Sequence, residues 1–286
     1  MIGFVGLGTM GEPMCRNLAA KCGEKVLAYD VDAALLQRLR EHGVEAAASV
    51  RDIAERCNYV FLSLPGAPEV KAVCAGPGSL LLHAHAGTYI IDCSTTSVAL
   101  ARDLSSRFEA RGVHFADAPV ARTRAAAEQG TLTVMVGGTE QVFMRIKPLL
   151  AHIGREITHC GGSGAGQATK LINNMVLFQN VVALAEALTL ARKAGLSATK
   201  VFETLMAGSA DSFALRNHGM KSMLPDEFPE RAFPVEYALK DMDYLLEFAK
   251  QARVELTGAK NAMAALERAA VAGNRKKYFP VLVKTI

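Results

Sequence analysis

Short apolar runs alternate with longer amphipathic stretches through the first half of the chain. IGFVGLG is followed by a helix-forming stretch from Pro13 to Lys21, KVLAYD by Ala33 to His42, YVFLSLP by Glu69 to Cys74, and TYIIDCS by Val98 to Arg111; VHFADAP and TLTVMVGG complete the series. Runs that are apolar throughout, rather than at every second position, suit strands buried on both faces. The pattern therefore predicts βαβ units and a mainly parallel sheet covered by helices on both sides. After Gly166 the β-branched runs give way to helical periodicity almost to the end. The glycine cluster CGGSGAG marks the change and predicts a boundary near residue 160, with an α/β domain over residues 1–160 and an all-helical domain over 161–286. There are no internal repeats and no low-complexity segment.

One run invites a membrane reading. LINNMVLFQNVVALAEALTLARKAG, Leu171 to Gly195, is interrupted by Asn173, Asn174, Gln179, Asn180 and Glu186, each costly in hydrocarbon, and it closes with Arg192, Lys193 and a capping Gly195. It reads as a helix of a soluble protein, buried on most of its circumference. Such a helix needs more than one covering surface, which points to a second domain or a second copy of the chain, and so to a homodimer or homotetramer rather than a membrane protein.

Composition narrows the classes of function. With 50% hydrophobic residues in 286, and 24 glycines and 10 prolines, the chain has ample material for a core. Its 32 basic and 28 acidic side chains leave a formal charge of +4, too small and too dispersed for nucleic acid or an anionic membrane, though a small anionic ligand fits. The six cysteines form no CxxC pair and have no histidine at zinc spacing, so neither a metal nor a disulfide framework is expected. The start MIGFVGLG lacks the basic region of a secretory peptide, and the expectation is a cytoplasmic protein.

The glycines of that start belong to another pattern. GLGTMG, comprising Gly6, Leu7, Gly8, Thr9, Met10 and Gly11, fits G-x-G-x-x-G, which is weak alone. Here a strand leads into it, a helix follows, and the second strand ends in Asp30, about 20 residues on, as a dinucleotide site requires. Gly6 permits the tight turn, Gly8 lets the backbone approach a pyrophosphate, and Gly11 allows close packing of helix on strand, while the helix N-terminus turns its unbonded N–H groups to the phosphates. Asp30 can accept hydrogen bonds from both ribose hydroxyls but would repel a 2′-phosphate, so NAD is expected over NADP. Arg38 could soften that preference by reaching the ribose, against its plainer reading as an exposed helix residue.

GGSGAGQATKLINN opens the long helix and sets Lys170 and Asn174 one turn apart, on one face. A lysine there suits proton transfer to a substrate oxygen, although taken alone it is more simply a surface residue. The order GLGTMG, DCSTTS (Asp92 to Ser97), DAPV with a loop and GTLTVMVGG, GxGxxxKxxxN (Gly164 to Asn174) and KDMDYLLEFA (Lys240 to Ala249) resembles the β-hydroxyacid dehydrogenase family over nearly the whole chain. The resemblance implies an α/β Rossmann-type N-terminal domain and an all-α C-terminal domain like that of 6-phosphogluconate dehydrogenase. It further implies hydride transfer at the β-carbon of a small anionic hydroxy acid or semialdehyde, with Lys170 as acid/base. Asn174 would orient the substrate, Ser94 and Thr95 would line the nicotinamide and substrate side of the cleft with Ser94 touching the substrate, Leu64 and Pro65 would touch the dinucleotide, and Lys240 would reach both cofactor and substrate.

Three departures stand out. Val98 replaces a proline common in relatives, and GNRKKYFPVL lacks an aspartate usual there. Where relatives grip the acid group with a serine and two glycines, this chain has Ala121, Arg122 and Thr123, a form similar to the loop of the family's 3-sulfolactaldehyde reductases. A guanidinium fork there would hold a carboxylate, sulfonate or phosphonate, whereas Arg124 reads as a solvated residue. Imine reduction on the same fold and a non-catalytic dinucleotide-binding module are the alternatives; the former tends to lack the lysine, and intact Lys170 and Asn174 speak against the latter.

Overall fold

The computed structural model describes residues 1–230 and 232–286. Packing divides the chain into two compact units, Met1–Lys170 and Leu171–Ile286. The division falls inside a helix, past the glycine cluster, because the first turn of that helix is hydrogen-bonded to the first unit's sheet.

The first unit runs β1 (Ile2–Val5), α1 (Gly11–Lys21), β2 (Val26–Tyr29), α2 (Ala33–Arg40), β3 (Val44–Ala46), α3 (Val50–Arg56), β4 (Tyr59–Leu62), α4 (Ala67–Ala75), α5 (Leu80–His83), β5 (Tyr89–Asp92), α6 (Val98–Glu109), β6 (His114–Asp117), β7 (Val120–Ala121), α7 (Arg124–Gln129), β8 (Leu132–Gly137), α8 (Glu140–Leu150) and β9 (Gly154–Gly161). Among the described residues the strands form one sheet in the order β3-β2-β1-β4-β5-β6-β8-β7, with β9 beside β8. The pairs from β3 to β6 are parallel, and β8 turns antiparallel to β6. Apolar side chains leave both faces, around Phe4, Met14 and Phe61 on one side and Leu27, Val60 and Phe108 on the other. Both faces covered is the condition that the unbroken apolar runs announce.

Register fixes where a ligand can sit. Val5 pairs with Tyr29 and Leu62, Leu62 with Asp92, and Asp92 with Asp117, so all these strands end at one edge. The loops that begin at Gly6, Asp30, Ser63, Cys93 and Ala118 therefore open side by side, at the carboxyl edge where open α/β sheets bind ligands.

Among the described residues, the regular elements of the second unit are helices. It comprises most of α9 (Ala165–Lys193), then α10 (Ala198–Ala207), a π-helical stretch Leu215–Met223, α11 (Val235–Gln251), α12 (Thr257–Ala269), a π turn Ala270–Asn274 and a closing 3-10 helix Phe279–Thr285. Aromatic rings organise its core: Phe279 meets Phe178 edge-on at 5.1 Å and Phe233 at 5.8 Å. By length and composition α9 could cross a membrane, yet 39% of its most apolar window is buried. Ile172, Val176 and Leu190 lie on one side of the helix and are 46%, 50% and 70% exposed, an apolar stripe that the described residues leave uncovered.

The same core contains a pH-sensitive group. His218, 4% exposed on the π-helical stretch, shares a hydrogen bond with the Tyr278 hydroxyl through Nδ1, and its Nε2 has no partner. Burial pushes the imidazole down to about 4, because a charged ring would bring an unsatisfied N–H into an aromatic pocket. The unfolded chain takes up this proton near the ordinary value of about 6.5 and the folded chain only near 4, so stability falls as pH drops between them. The loss expected is about 3 kcal/mol at most. Urea midpoints followed across that window should fall less steeply for His218→Phe than for the wild type; parallel profiles would count against this source.

Candidate active site

The glycine-rich turn has the geometry of a phosphate cradle, with a separate reason for each glycine. Gly6 takes φ +92°, and a Cβ there would strike the Ser63 carbonyl oxygen. A Cβ on Gly11 would collide with the Gly6 carbonyl, so α1 can start hard against the turn only without one. At Gly8 an added Cβ meets nothing within 4 Å. Its glycine is not demanded by the protein's own packing, as expected where the approaching surface is a ligand. The N-terminus of α1 carries no side-chain cap at Met10, which leaves amide donors for an anion. Asp30 accepts hydrogen bonds from Leu7 N at 2.6 Å and Asp32 N at 2.9 Å, so its carboxylate is held at the turn with lone pairs to spare. Arg38 is committed elsewhere: its guanidinium forks onto Glu12 at 2.8 and 3.2 Å, and that hydrogen bond and charge hold the Glu12 carboxyl below its usual range. These residues fit a nicotinamide dinucleotide.

At the neighbouring strand ends, Ser94 is 3% exposed and its hydroxyl accepts the Leu64 N–H at 2.9 Å, binding the loop of Leu64 and Pro65 to the loop of Ser94 and Thr95. Two residues to which the sequence reading assigned no role complete this region. Asp117, fully buried, accepts hydrogen bonds from Gly164 N and Gln167 N, each at 2.8 Å. Its carboxyl lies above the usual range because burial outweighs those N–H donors. Gly137 and Gly166 make room for it, since a Cβ on either would press on the carboxylate. Gln167, also fully buried, donates to Ser94 O at 2.7 Å and accepts from Thr96 N at 3.0 Å. Lys170 follows one turn later on α9, 9% exposed. DAPV and GxGxxxK include both residues, but neither motif by itself ties a strand-end carboxylate to an amide three positions before the lysine.

Arg122 stands between β7 and α7 at φ +90°. Few non-glycine residues adopt that region. Its guanidinium is exposed and donates to Thr131 O at 3.3 Å. Thr123 is the N-cap of α7, its hydroxyl accepting Ala126 N at 3.4 Å. Arg124 pairs with Glu128 at 2.9 Å on the helix surface. The three alanines after it, Ala125 to Ala127, belong to the six-residue helix α7. Asn17 of α1, 7% exposed, donates to the carbonyls of Ala127 and Glu128 at the far end of α7, so the glycine-turn helix carries the base of the arginine loop.

In the second unit, Asn174 is 4% exposed and donates to Asp241 Oδ2 at 2.7 Å. Lys240 Nζ lies 2.9 Å from Asp241 Oδ1 and over the ring of Tyr244, 5.0 Å from its centroid. The structure thus joins Asn174 and Lys240 through a buried carboxylate that stood next to the lysine in KDMD and had been given no part. Among the described residues no three of His, Cys, Asp and Glu gather as metal ligands.

Comparison with known proteins agrees with this construction. Residues 1–162 match the model of the NAD binding domain of 6-phosphogluconate dehydrogenase, and residues 164–286 match that of the NAD-binding domain of NADP-dependent 3-hydroxyisobutyrate dehydrogenase. The chain is 38% identical over 255 residues to 2-(hydroxymethyl)glutarate dehydrogenase of Eubacterium barkeri, covering 89% of this chain and 84% of the relative. It is 31% identical to 2-hydroxy-3-oxopropionate reductase of Escherichia coli K12, over 100% of this chain and 96% of the other. The solved 3-hydroxyisobutyrate dehydrogenase of Mycobacterium tuberculosis superposes with a TM-score of 0.89 at 31% identity, covering 99% of this chain and 98% of that one. A Rossmann-type unit with a glycine cradle for a nicotinamide dinucleotide, a helical second unit, and matches along the whole length make this chain a member of the β-hydroxyacid dehydrogenase family.

Proposed function

We propose that this protein is an NAD-dependent dehydrogenase interconverting a short β-hydroxy acid and its semialdehyde, with Lys170 as the acid/base group. The observation that carries the reading is Lys170 itself. A lysine only 9% exposed, one turn after a helix start tied to the strand ends of the cofactor edge, is poorly suited to a solvated role. The named activities of the relatives, on 3-hydroxyisobutyrate and 2-hydroxy-3-oxopropionate, support the substrate class.

In this reading the turn from Gly6 to Gly11, with Leu7, Gly8, Thr9 and Met10, holds the pyrophosphate and Asp30 the adenosine ribose, while Leu64, Pro65, Thr95 and Lys240 contact the rest of the dinucleotide. When bound, the nicotinamide supplies or receives the hydride. Lys170 gives its proton to the carbonyl oxygen in the reducing direction and takes it from the hydroxyl in the oxidising one. Asn174 orients the substrate and Ser94 keeps the facing loop in place. Arg122 and the backbone at Thr123 grip the substrate's acid group.

Asp30, with Arg38 engaged by Glu12, favours NAD. Initial rates at matched concentrations should be higher with NADH than with NADPH, and a clear preference for NADPH would overturn the assignment. The apolar stripe of α9 is best covered by a second copy of the chain. Light scattering at micromolar concentration should give a dimer or tetramer; a 30.5 kDa particle alone would refute this. Six free thiols fit a reducing compartment and a cytoplasmic location.

A further inference from the structure

We propose that Gln167 is a positioning residue, a clamp that sets the rotation of α9 about its axis and so the place of the Lys170 ammonium relative to the Ser94–Thr96 loop. The inference rests on the acid/base reading of Lys170. Gln167 is fully buried, and both ends of its carboxamide are used: Nε2 donates to Ser94 O at 2.7 Å and Oε1 accepts from Thr96 N at 3.0 Å. These partners also fix the orientation of the amide, since a carbonyl oxygen only accepts and a backbone N–H only donates. The backbone beneath it is held independently, because Gln167 N and Gly164 N both donate to the buried Asp117 carboxylate. Two attachments at different radii, one to the backbone and one to a side-chain tip, fix a helix in translation and in rotation. A single attachment would leave rotation free.

The chemistry makes this more than packing. Gln167 and Lys170 are three residues apart and share a helical face, so the face that carries the lysine is the one clamped to the loop after β5. The amide satisfies two buried backbone atoms, Ser94 O and Thr96 N, and in doing so ties that loop to the helix. A catalytic ammonium, by contrast, loses rate steeply when it is misplaced by about 1 Å. A side chain with one donor and one acceptor in this geometry is therefore explained by a demand for position.

The test is a cycle of Gln167→Met, Lys170→Ala and the double variant, with Gln167→Glu as a fourth protein. Each is assayed on whichever of 3-hydroxyisobutyrate and 2-hydroxy-3-oxopropionate the wild type turns over faster, with NADH affinity and circular dichroism recorded alongside. Gln167→Met should lower kcat by about 10-fold with NADH affinity and folded content unchanged, and the double variant should be no slower than Lys170→Ala. Gln167→Glu should be impaired at neutral pH, where a carboxylate faces the Ser94 carbonyl, and should recover relative to wild type as pH falls, because the protonated acid again offers one donor and one acceptor. A normal kcat in Gln167→Met, or losses that add in the double variant, would overturn the clamp while leaving Lys170 in place. Near-normal turnover in Lys170→Ala would instead overturn the acid/base reading on which the clamp rests.

Discussion

Lys170→Ala is expected to lower kcat by about 10²-fold or more while leaving NADH affinity little changed. The two halves of that result come from different parts of the molecule. The dinucleotide cradle is built from the turn after β1, the end of β2 and the uncapped start of α1, none of which uses Lys170. The lysine stands on α9, after a turn anchored by Asp117 and Gln167, whose attachments are made by residues 164 and 167 and survive the substitution. On the proposed role, removal of the ammonium takes away the proton donor for the developing alkoxide without disturbing the helix start. Steady-state rates together with NADH titration check both halves. A variant that turned over at a near-normal rate would show that the acid lies elsewhere.

Arg122→Ala is expected to cost about 2 to 4 kcal/mol in kcat/KM for an acidic semialdehyde, because a charge-assisted pair is lost and the substrate anion is left without its partner. The same variant should reduce a neutral short aldehyde as well as the wild type does. Arg122→Lys should recover only part of the loss, since a point charge does not reproduce a planar fork. The backbone supplies a second, independent signature. Arg122 occupies φ +90°, a conformation that costs a non-glycine residue about 1 to 3 kcal/mol. Arg122→Gly should therefore be more stable than the wild type by about 1 kcal/mol while sharing the catalytic loss. Strain retained at a position where glycine is at home is what a functional side chain would explain. Equal losses on acidic and neutral aldehydes, or a glycine variant no more stable than its parent, would count against the anchor.

The strands that carry the cofactor edge were legible because they are buried on both faces. IGFV, YVFL and YIID are apolar runs with no other plausible reading, and each ends where the next loop must begin. β9 was not legible, since GREITHCG pairs only along one side and keeps Arg155 and Glu156 in solvent, so burial left no apolar run to find. α3 and α8 escaped notice for a related reason: each is a helix with one buried stripe among charged residues. Within the site, glycines and the isolated Asp30 announce themselves because their chemistry is local to a turn. Asp117, Gln167 and Asp241 do not, because each acts across long separations in sequence, from Asp117 to Gly164, from Ser94 to Gln167 and from Asn174 to Asp241. A carboxylate that receives a distant helix start looks, in one dimension, like any strand-end aspartate.

The proposed activity is hydride transfer between NAD and a short acid whose charge the protein recognises. The most direct test is the rate of NADH oxidation by the wild type across a panel of short semialdehydes bearing a carboxylate or a sulfonate, with neutral aldehydes of the same length alongside. Saturable turnover is expected on at least one acidic member, with kcat/KM at least about 30-fold above its neutral counterpart, the ratio that about 2 kcal/mol of anion binding supplies. No turnover on any acidic semialdehyde, or equal efficiency on acidic and neutral members, would contradict it.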